Sequence, residues 1–170
     1  NPVSFKKKMD FNTEDYVELT SYAHHSFYTK FRLEIPDNWD YADYYNLPVD
    51  ALMDVMKYSL KNGYSICWDG DVSDKYFDHG AALAIVPENE DFDIENYDKD
   101  TPEKTIDQDL RQEQFNTFKA TDDHLMHLTG LIEDDGGRQY FVTKNSWDTD
   151  SNENGGYLNM TANYVKLNTV

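Results

Sequence analysis

His124-Leu125-Met126-His127-Leu128-Thr129-Gly130, Lys144-Asn145-Ser146-Trp147 and Asn154-Gly155-Gly156-Tyr157-Leu158 are the three stretches that decide how this chain is read. Singly, each has an ordinary explanation. A histidine on a strand is more often a hydrogen-bonded core or surface residue than a catalyst, Asn-Ser is common turn vocabulary, and Gly-Gly-Tyr starts many strands. Their order and spacing carry the signal. Residues 124–132, 138–145 and 156–160 read as strands, joined by turns at Asp134-Asp135-Gly136-Gly137 and at residues 148–155.

Upstream the period changes. Leu52, Val55, Met56 and Leu60 recur at three- and four-residue spacing, which predicts a helix over residues 50–61 with Gly63 as its C-cap. Residues 64–68 read as a strand followed by a polar turn around Gly70. An apolar stretch, 81–86, ends at Pro87. Residues 88–100 are strongly acidic and read as a solubilising excursion over the surface. Thr101-Pro102 is expected to open a second helix, with Thr105-x-x-Gln108 as a further capping box and an end before Thr121. Residues 15–33 read as extended or irregular, and 36–45 as a loop with exposed aromatics. Helices followed by a run of antiparallel strands make an α+β fold.

Composition narrows the functions. A net charge of −18 over 170 residues argues against nucleic acid as a partner, because binding a polyanion needs clustered Lys and Arg. The run Lys6-Lys7-Lys8 reads as a solvated surface turn. The aromatic fraction of 15% supplies enough apolar surface for a core. No stretch is long and apolar enough to cross a bilayer, so no membrane partner is expected. The single cysteine, Cys67, excludes an internal disulfide framework. The compartment stays open: soluble, and cytoplasmic or exported.

No cofactor or metal site is read. His124-x-x-His127 beside Asp122 and Asp123 sends its two rings to opposite faces of a strand, which defeats chelation. Asp148-x-Asp150-x-Asn152 opens like a calcium loop but has no Gly at the sixth position and no Glu at the twelfth. His24-His25 and His79 have no recognisable partners and default to surface or packing roles.

The three opening stretches resemble papain-like cysteine peptidases. In that family the catalytic His opens a strand of mostly apolar residues ending in Gly, as His124 to Gly130 does. The orienting Asn sits in Lys-Asn-Ser-Trp at the end of the next strand, as Asn145 does. A glycine turn and Gly-Tyr then begin another, as at Gly156-Tyr157. Asp15-Tyr16-Val17-x-Leu19-Thr20, Asn46-Leu47-Pro48-Val49-Asp50 and Asp71-Val72 are similar to the bleomycin hydrolase and aminopeptidase C group. The family usually has Gly after the motif Trp, where this chain has Asp148.

The resemblance implies a papain-like fold, mainly its antiparallel barrel-like lobe with helices. Residues 1–170, which begin Asn1-Pro2-Val3, would be the C-terminal part of a peptidase domain, with the nucleophilic Cys on an N-terminal half as partner. It also implies a peptide substrate, and homo-oligomers like the closed hexamers of that group. The chemistry needs these residue types. A neighbouring imidazolium stabilises a Cys thiolate, and the same ring later protonates the leaving amine. His124 would supply that ring. Asn145 would hold its other nitrogen within roughly 2.6–3.2 Å. Trp147 would cover the pair and keep water away. Cys67 is not expected to be the nucleophile: it falls in an apolar strand pattern without the upstream Gln of the family, and reads as a buried strand thiol. The rival reading is a non-catalytic papain-fold domain kept for binding or inhibition.

Overall fold

The computed structural model describes residues 2–9, 12 and 15–170. Lys6, Lys7 and Lys8 are exposed on a short helix, α1 (Pro2–Met9), not in a turn. β1 (Leu19–Thr20), β2 (Lys30–Arg32) and β3 (Asp43–Asn46) form a small sheet in the order β1-β3-β2. Strands this short leave backbone groups over, and Asn46 takes some of them. Its amide accepts from the Tyr22 N–H and donates to the Tyr22 carbonyl, both at 2.8 Å.

α2 (Val49–Lys61) matches the predicted helix, but its buried stripe runs through Leu52, Met53 and Met56, while Val55 lies outside it. The helix ends at Lys61, with Asn62 rather than Gly63 as its cap. Gly63 follows the cap at φ +83°, so that Tyr64 N–H reaches the Ser59 carbonyl at 3.0 Å and Gly63 N–H that of Leu60 at 3.2 Å.

β4 (Ile66–Gly70) starts two residues later than expected and continues through Gly70, which is a strand residue and not a turn. β5 (Phe77–Asp78) and β6 (Leu83–Ala84) follow. The acidic excursion is mostly exposed, with one 3-10 turn at Ile94–Asn96. Thr101-Pro102 does not open a helix. The backbone there is extended, with Glu88 N–H on the Pro102 carbonyl and Lys104 N–H on that of Val86, both at 2.9 Å. The Glu103 carboxylate accepts from Val86 N–H and from the Thr161 hydroxyl, which holds that extended conformation. The second long helix, α3 (Gln108–Asn116), begins later and is capped by Asp107, whose carboxylate accepts from Leu110 N–H at 2.8 Å.

β7 (His124–Glu133), β8 (Gln139–Lys144) and β9 (Tyr157–Thr161) lie close to the expected strands. A last helix, α4 (Ala162–Asn168), was not anticipated: it buries Tyr164, Val165 and Leu167 within two turns, too few for a period to show. The main sheet has the order β4-β7-β8-β9-β6-β5, with β6 parallel to β9 and the other pairs antiparallel. One core, including Trp68, Leu128, Phe141, Met160 and Tyr164, unites its inner face with α2 and α4. The buried Arg111 of α3 ties the layers together, donating to the carbonyls of Ser21 (2.8 Å) and Leu167 (3.1 Å). Cationic groups suit the carbonyl end of a helix such as α4.

At the β4 end of this sheet, Asp69 of β4 faces Asp122, just before β7. Burial first, and then the Asp122 charge, push the Asp69 carboxyl up to about 7. Asp122 is raised as well, by burial first. Its Oδ2 is buried without a donor, which a proton shared with Asp69 would supply. Because the folded pKa lies above the unfolded one, the folded chain holds a proton that the unfolded chain has lost. Stability is therefore full below pH 4 as far as this pair goes, and falls as pH rises towards 7 and just beyond. The whole shift would correspond to about 4 kcal/mol, but at a half-buried, solvent-screened site about 1–2 kcal/mol is expected. Urea unfolding of the wild type at pH 5 and pH 8 should show that loss, and Asp69→Asn should flatten it. Equal slopes for both proteins would disprove the shared proton.

Candidate active site

Two carboxylates fix the chain where it enters β7. Asp71 is buried, and its Oδ2 accepts from Thr121 N–H at 2.9 Å while its Oδ1 accepts from Ser73 N–H at 2.7 Å. Asp123 accepts from Val72 N–H, also at 2.9 Å. Between them they tie the exit of β4 to the start of β7, where His124 pairs with Gly70. β7 and β8 run antiparallel with His127 opposite Lys144, so the beginning of one strand lies at the end of the other. Asn145 follows Lys144 directly, and its N–H donates to the Gly156 carbonyl at 3.0 Å. The turn before β9 needs both glycines: Gly155 and Gly156 have φ of +66° and +77°, and a Cβ on Gly156 would sit 2.7 Å from the Lys144 ammonium. Asp148, at φ −52°, needs no glycine.

His124 Nε2 lies 2.8 Å from Asn145 Oδ1, within the expected reach. Asn145 is 1% exposed, so this bond is made out of water. An amide oxygen accepts from N–H, which places the ring proton on Nε2 and leaves Nδ1 as the nitrogen available to a reacting group.

The sequence offered no partner for His79, yet it stands behind this pair. Its Nδ1 is 3.4 Å from Asn145 Nδ2, and its Nε2 is 2.7 Å from the Ser151 hydroxyl. The Ser151 hydroxyl in turn donates to the Asp148 carbonyl. Ser151 therefore accepts from His79 Nε2–H, His79 Nδ1 accepts from the Asn145 amide, and Asn145 Oδ1 accepts from His124. Only a neutral His79 can serve in that order. Burial first, and then the Lys144 charge, push its pKa below the ordinary value. His79 is a positioning residue: it fixes which end of the Asn145 amide meets His124. Sequence distance hid it, since 66 residues separate it from Asn145.

Trp147 touches both histidines. Its ring lies 4.6 Å from that of His79, edge-on, and 5.6 Å from that of His124. It is 44% exposed, so it covers the pair from one side and keeps a face in solvent. Cys67 sits on a strand as expected but is exposed, not buried. Along β4 it alternates with the buried Trp68, and it pairs with the outward-facing His127, on the face opposite His124. Partial burial of the sulfur, then the Asp69 carboxylate, push the thiol pKa up, the opposite of activation. Cys67 lines an open groove of about 530 Å³ with Tyr16, Val17, Val55, Tyr64 and Leu125, and neither His124 nor Asn145 lines it.

The chain belongs to the Peptidase C1-like family, which it matches over residues 1–169. It is 27% identical to Aminopeptidase G of Lactobacillus delbrueckii subsp. lactis, over 97% of this chain and 36% of that protein. Among solved structures it is similar to PepW of Lactobacillus rhamnosis HN001, with a TM-score of 0.72 at 22% identity, again over 97% of this chain and 36% of the other. The fold is thus papain-like: an α+β arrangement of a curled half-barrel sheet with helices. The chain spans about a third of the length of these relatives. Among the described residues no helix is long and apolar enough to cross a membrane.

Proposed function

We propose that this chain supplies the His124–Asn145 half of a thiol peptidase site, with the nucleophilic cysteine carried outside residues 1–170 on a further segment of the same protein. The observation that carries this reading is the 2.8 Å bond between His124 Nε2 and a buried Asn145 amide, oriented by His79. In the proposed reaction, His124 Nδ1 takes the proton of the incoming thiol and the thiolate attacks the peptide carbonyl. The imidazolium then protonates the leaving amine, leaving an acyl-thioester that water hydrolyses. The named relative is an aminopeptidase, which supports peptides cut at their N-terminal ends as the substrate class.

The isolated chain tests the division of labour. It should release no product from aminoacyl fluorogenic substrates, and Cys67 should react with an active-site-directed epoxide no faster than a free thiol of ordinary pKa does. The complete reading frame should be labelled at a different cysteine. Rapid labelling of Cys67, or no labelling in the complete protein, would overturn the proposal; the second result favours a non-catalytic binding or inhibitory domain.

A further inference from the structure

His24 and His25 also lacked partners in the sequence. The fold gives them one in Glu34, beyond β2. His25 Nε2 is 2.7 Å from Glu34 Oε1 and His24 Nε2 is 3.2 Å from Oε2. The three side chains can each offer a ligand atom, and these atoms all lie within 4.8 Å of one another. Among the described residues this is the one grouping of at least three His, Cys, Asp or Glu with that convergence.

The rings are held in place by packing and not by the carboxylate alone. His25 stacks on Phe31 with centroids 4.1 Å apart, and His24 lies parallel to Phe115 at 5.5 Å. Behind His24 stands Gln112 of α3. Its Oε1 accepts from Ala23 N–H and lies 3.3 Å from His24 Nδ1, while its Nε2 donates to Asn116 at 2.8 Å. The Gln112 Nε2 is also within 3.0 Å of His24 Nδ1, so the amide can serve either tautomer of the ring. With Nδ1–H donating to Oε1, the Nε2 lone pair is free and aimed at Glu34. An outer-shell acceptor on the far nitrogen is the usual support of a metal-bound histidine.

We propose that His24, His25 and Glu34 bind a divalent transition cation, zinc before others. Two imidazoles and a carboxylate are zinc donors, whereas magnesium and calcium want an all-oxygen shell. Donors around a tetrahedral zinc stand roughly 3.3 Å apart; the three ligand atoms, one from each side chain, already lie within 4.8 Å of one another, so small side-chain adjustments bring them onto one ion. The three side chains are 32%, 34% and 56% exposed, which leaves a fourth position for water or another ligand. The bound ion would cross-link the 24–25 turn to the segment after β2, and through Gln112 to α3. This site does not depend on the peptidase reading.

Isothermal titration of the purified chain with zinc chloride should show one site per chain with Kd on the order of micromolar and a Tm that rises with zinc. Magnesium chloride should give neither effect. Glu34→Gln keeps the shape of the side chain but replaces one carboxylate oxygen by an NH2, and it should weaken zinc by at least about tenfold with the fold intact by far-UV circular dichroism. His25→Ala should do the same, and Gln112→Ala should cost about tenfold through the outer shell. Imidazole nitrogen resonances of two histidines should shift on addition of zinc in the wild type. Absence of binding at 100-fold the expected Kd, or binding unchanged in both ligand variants, would overturn the assignment.

Discussion

His124→Ala in the complete, cysteine-bearing protein should lower kcat/KM by about four orders of magnitude, and Asn145→Ala by about ten- to a hundredfold. The difference follows from what each side chain can do. In the proposed reaction His124 is the proton carrier, and without its cation the nucleophilic thiol would return to an ordinary pKa near 8.5, so at pH 6 almost none of it would be thiolate. Asn145 carries no charge and acts through its 2.8 Å bond to Nε2, fixing tautomer and ring orientation. Removing it leaves the imidazole in place but loose. His79→Ala should cost less again, because His79 reaches His124 only through the far end of the Asn145 amide. The pH profile of alkylation separates these roles from general damage to the fold. His124→Ala should move the inflection of the thiolate upward to the ordinary range, whereas His79→Ala should lower the rate with little movement. Three variants with one common, modest loss and unchanged inflections would remove His124 from the chemistry.

The His124–Asn145 pair was legible because its signals are local. A histidine opening one strand and an asparagine closing the next are brought together by a single antiparallel pairing, and β7 and β8 form where the alternation of residues 124–145 puts them. The same holds for α2, where three- and four-residue spacing and Gly63 are enough. Apart from the short helices α1 and α4, the failures are long-range. Thr101-Pro102 has the local look of a helix start, but Glu103 is claimed by Val86 and Thr161, 17 and 58 residues away, and pairing with residues 86–88 wins over capping. Cys67 looked buried because its neighbours are apolar; a β-strand alternates, and along β4 it is Ile66, Trp68 and Gly70 that turn inward while Cys67 faces out. His79 and the His24–His25–Glu34 group were invisible for a related reason. Their partners come from other loops, and a hydrogen bond from a lone histidine leaves no period behind it.

Gly70 was misread in the same way, and it carries the largest stability effect expected of any conservative change. Glycine in a polar stretch suggests a turn, where it would be chosen for its backbone freedom. Here its backbone is that of the strand, and what matters is the absence of a side chain. The C-terminal residues fold back along β4: Asp71 N–H donates to the Asn168 carbonyl at 3.1 Å, Val170 N–H to the Asp69 carbonyl at 2.9 Å, and the Trp68 indole to the Thr169 hydroxyl at 2.7 Å. A Cβ on Gly70 would stand 2.2 Å from the Asn168 oxygen and 2.4 Å from the Trp68 ring. Neither neighbour can give way. The first is backbone already engaged in a hydrogen bond, and Trp68 is 1% exposed at the centre of the core. Gly70→Ala should therefore destabilise the chain by about 3 kcal/mol or more, at the upper end of overpacking. Gly63→Ala is the control: it has nothing within 4 Å of a new Cβ and a φ of +83°, so its cost is conformational and about 1 kcal/mol. Urea midpoints, with near-ultraviolet circular dichroism to follow Trp68, would rank the two. Because Gly70 pairs with His124, whatever backbone shift relieves the clash is passed to the first residue of β7. In the complete protein Gly70→Ala should then lower kcat more than Gly63→Ala at a temperature where both are folded. A Gly70→Ala chain as stable as the Gly63→Ala one would mean that the C-terminal residues do not lie against β4.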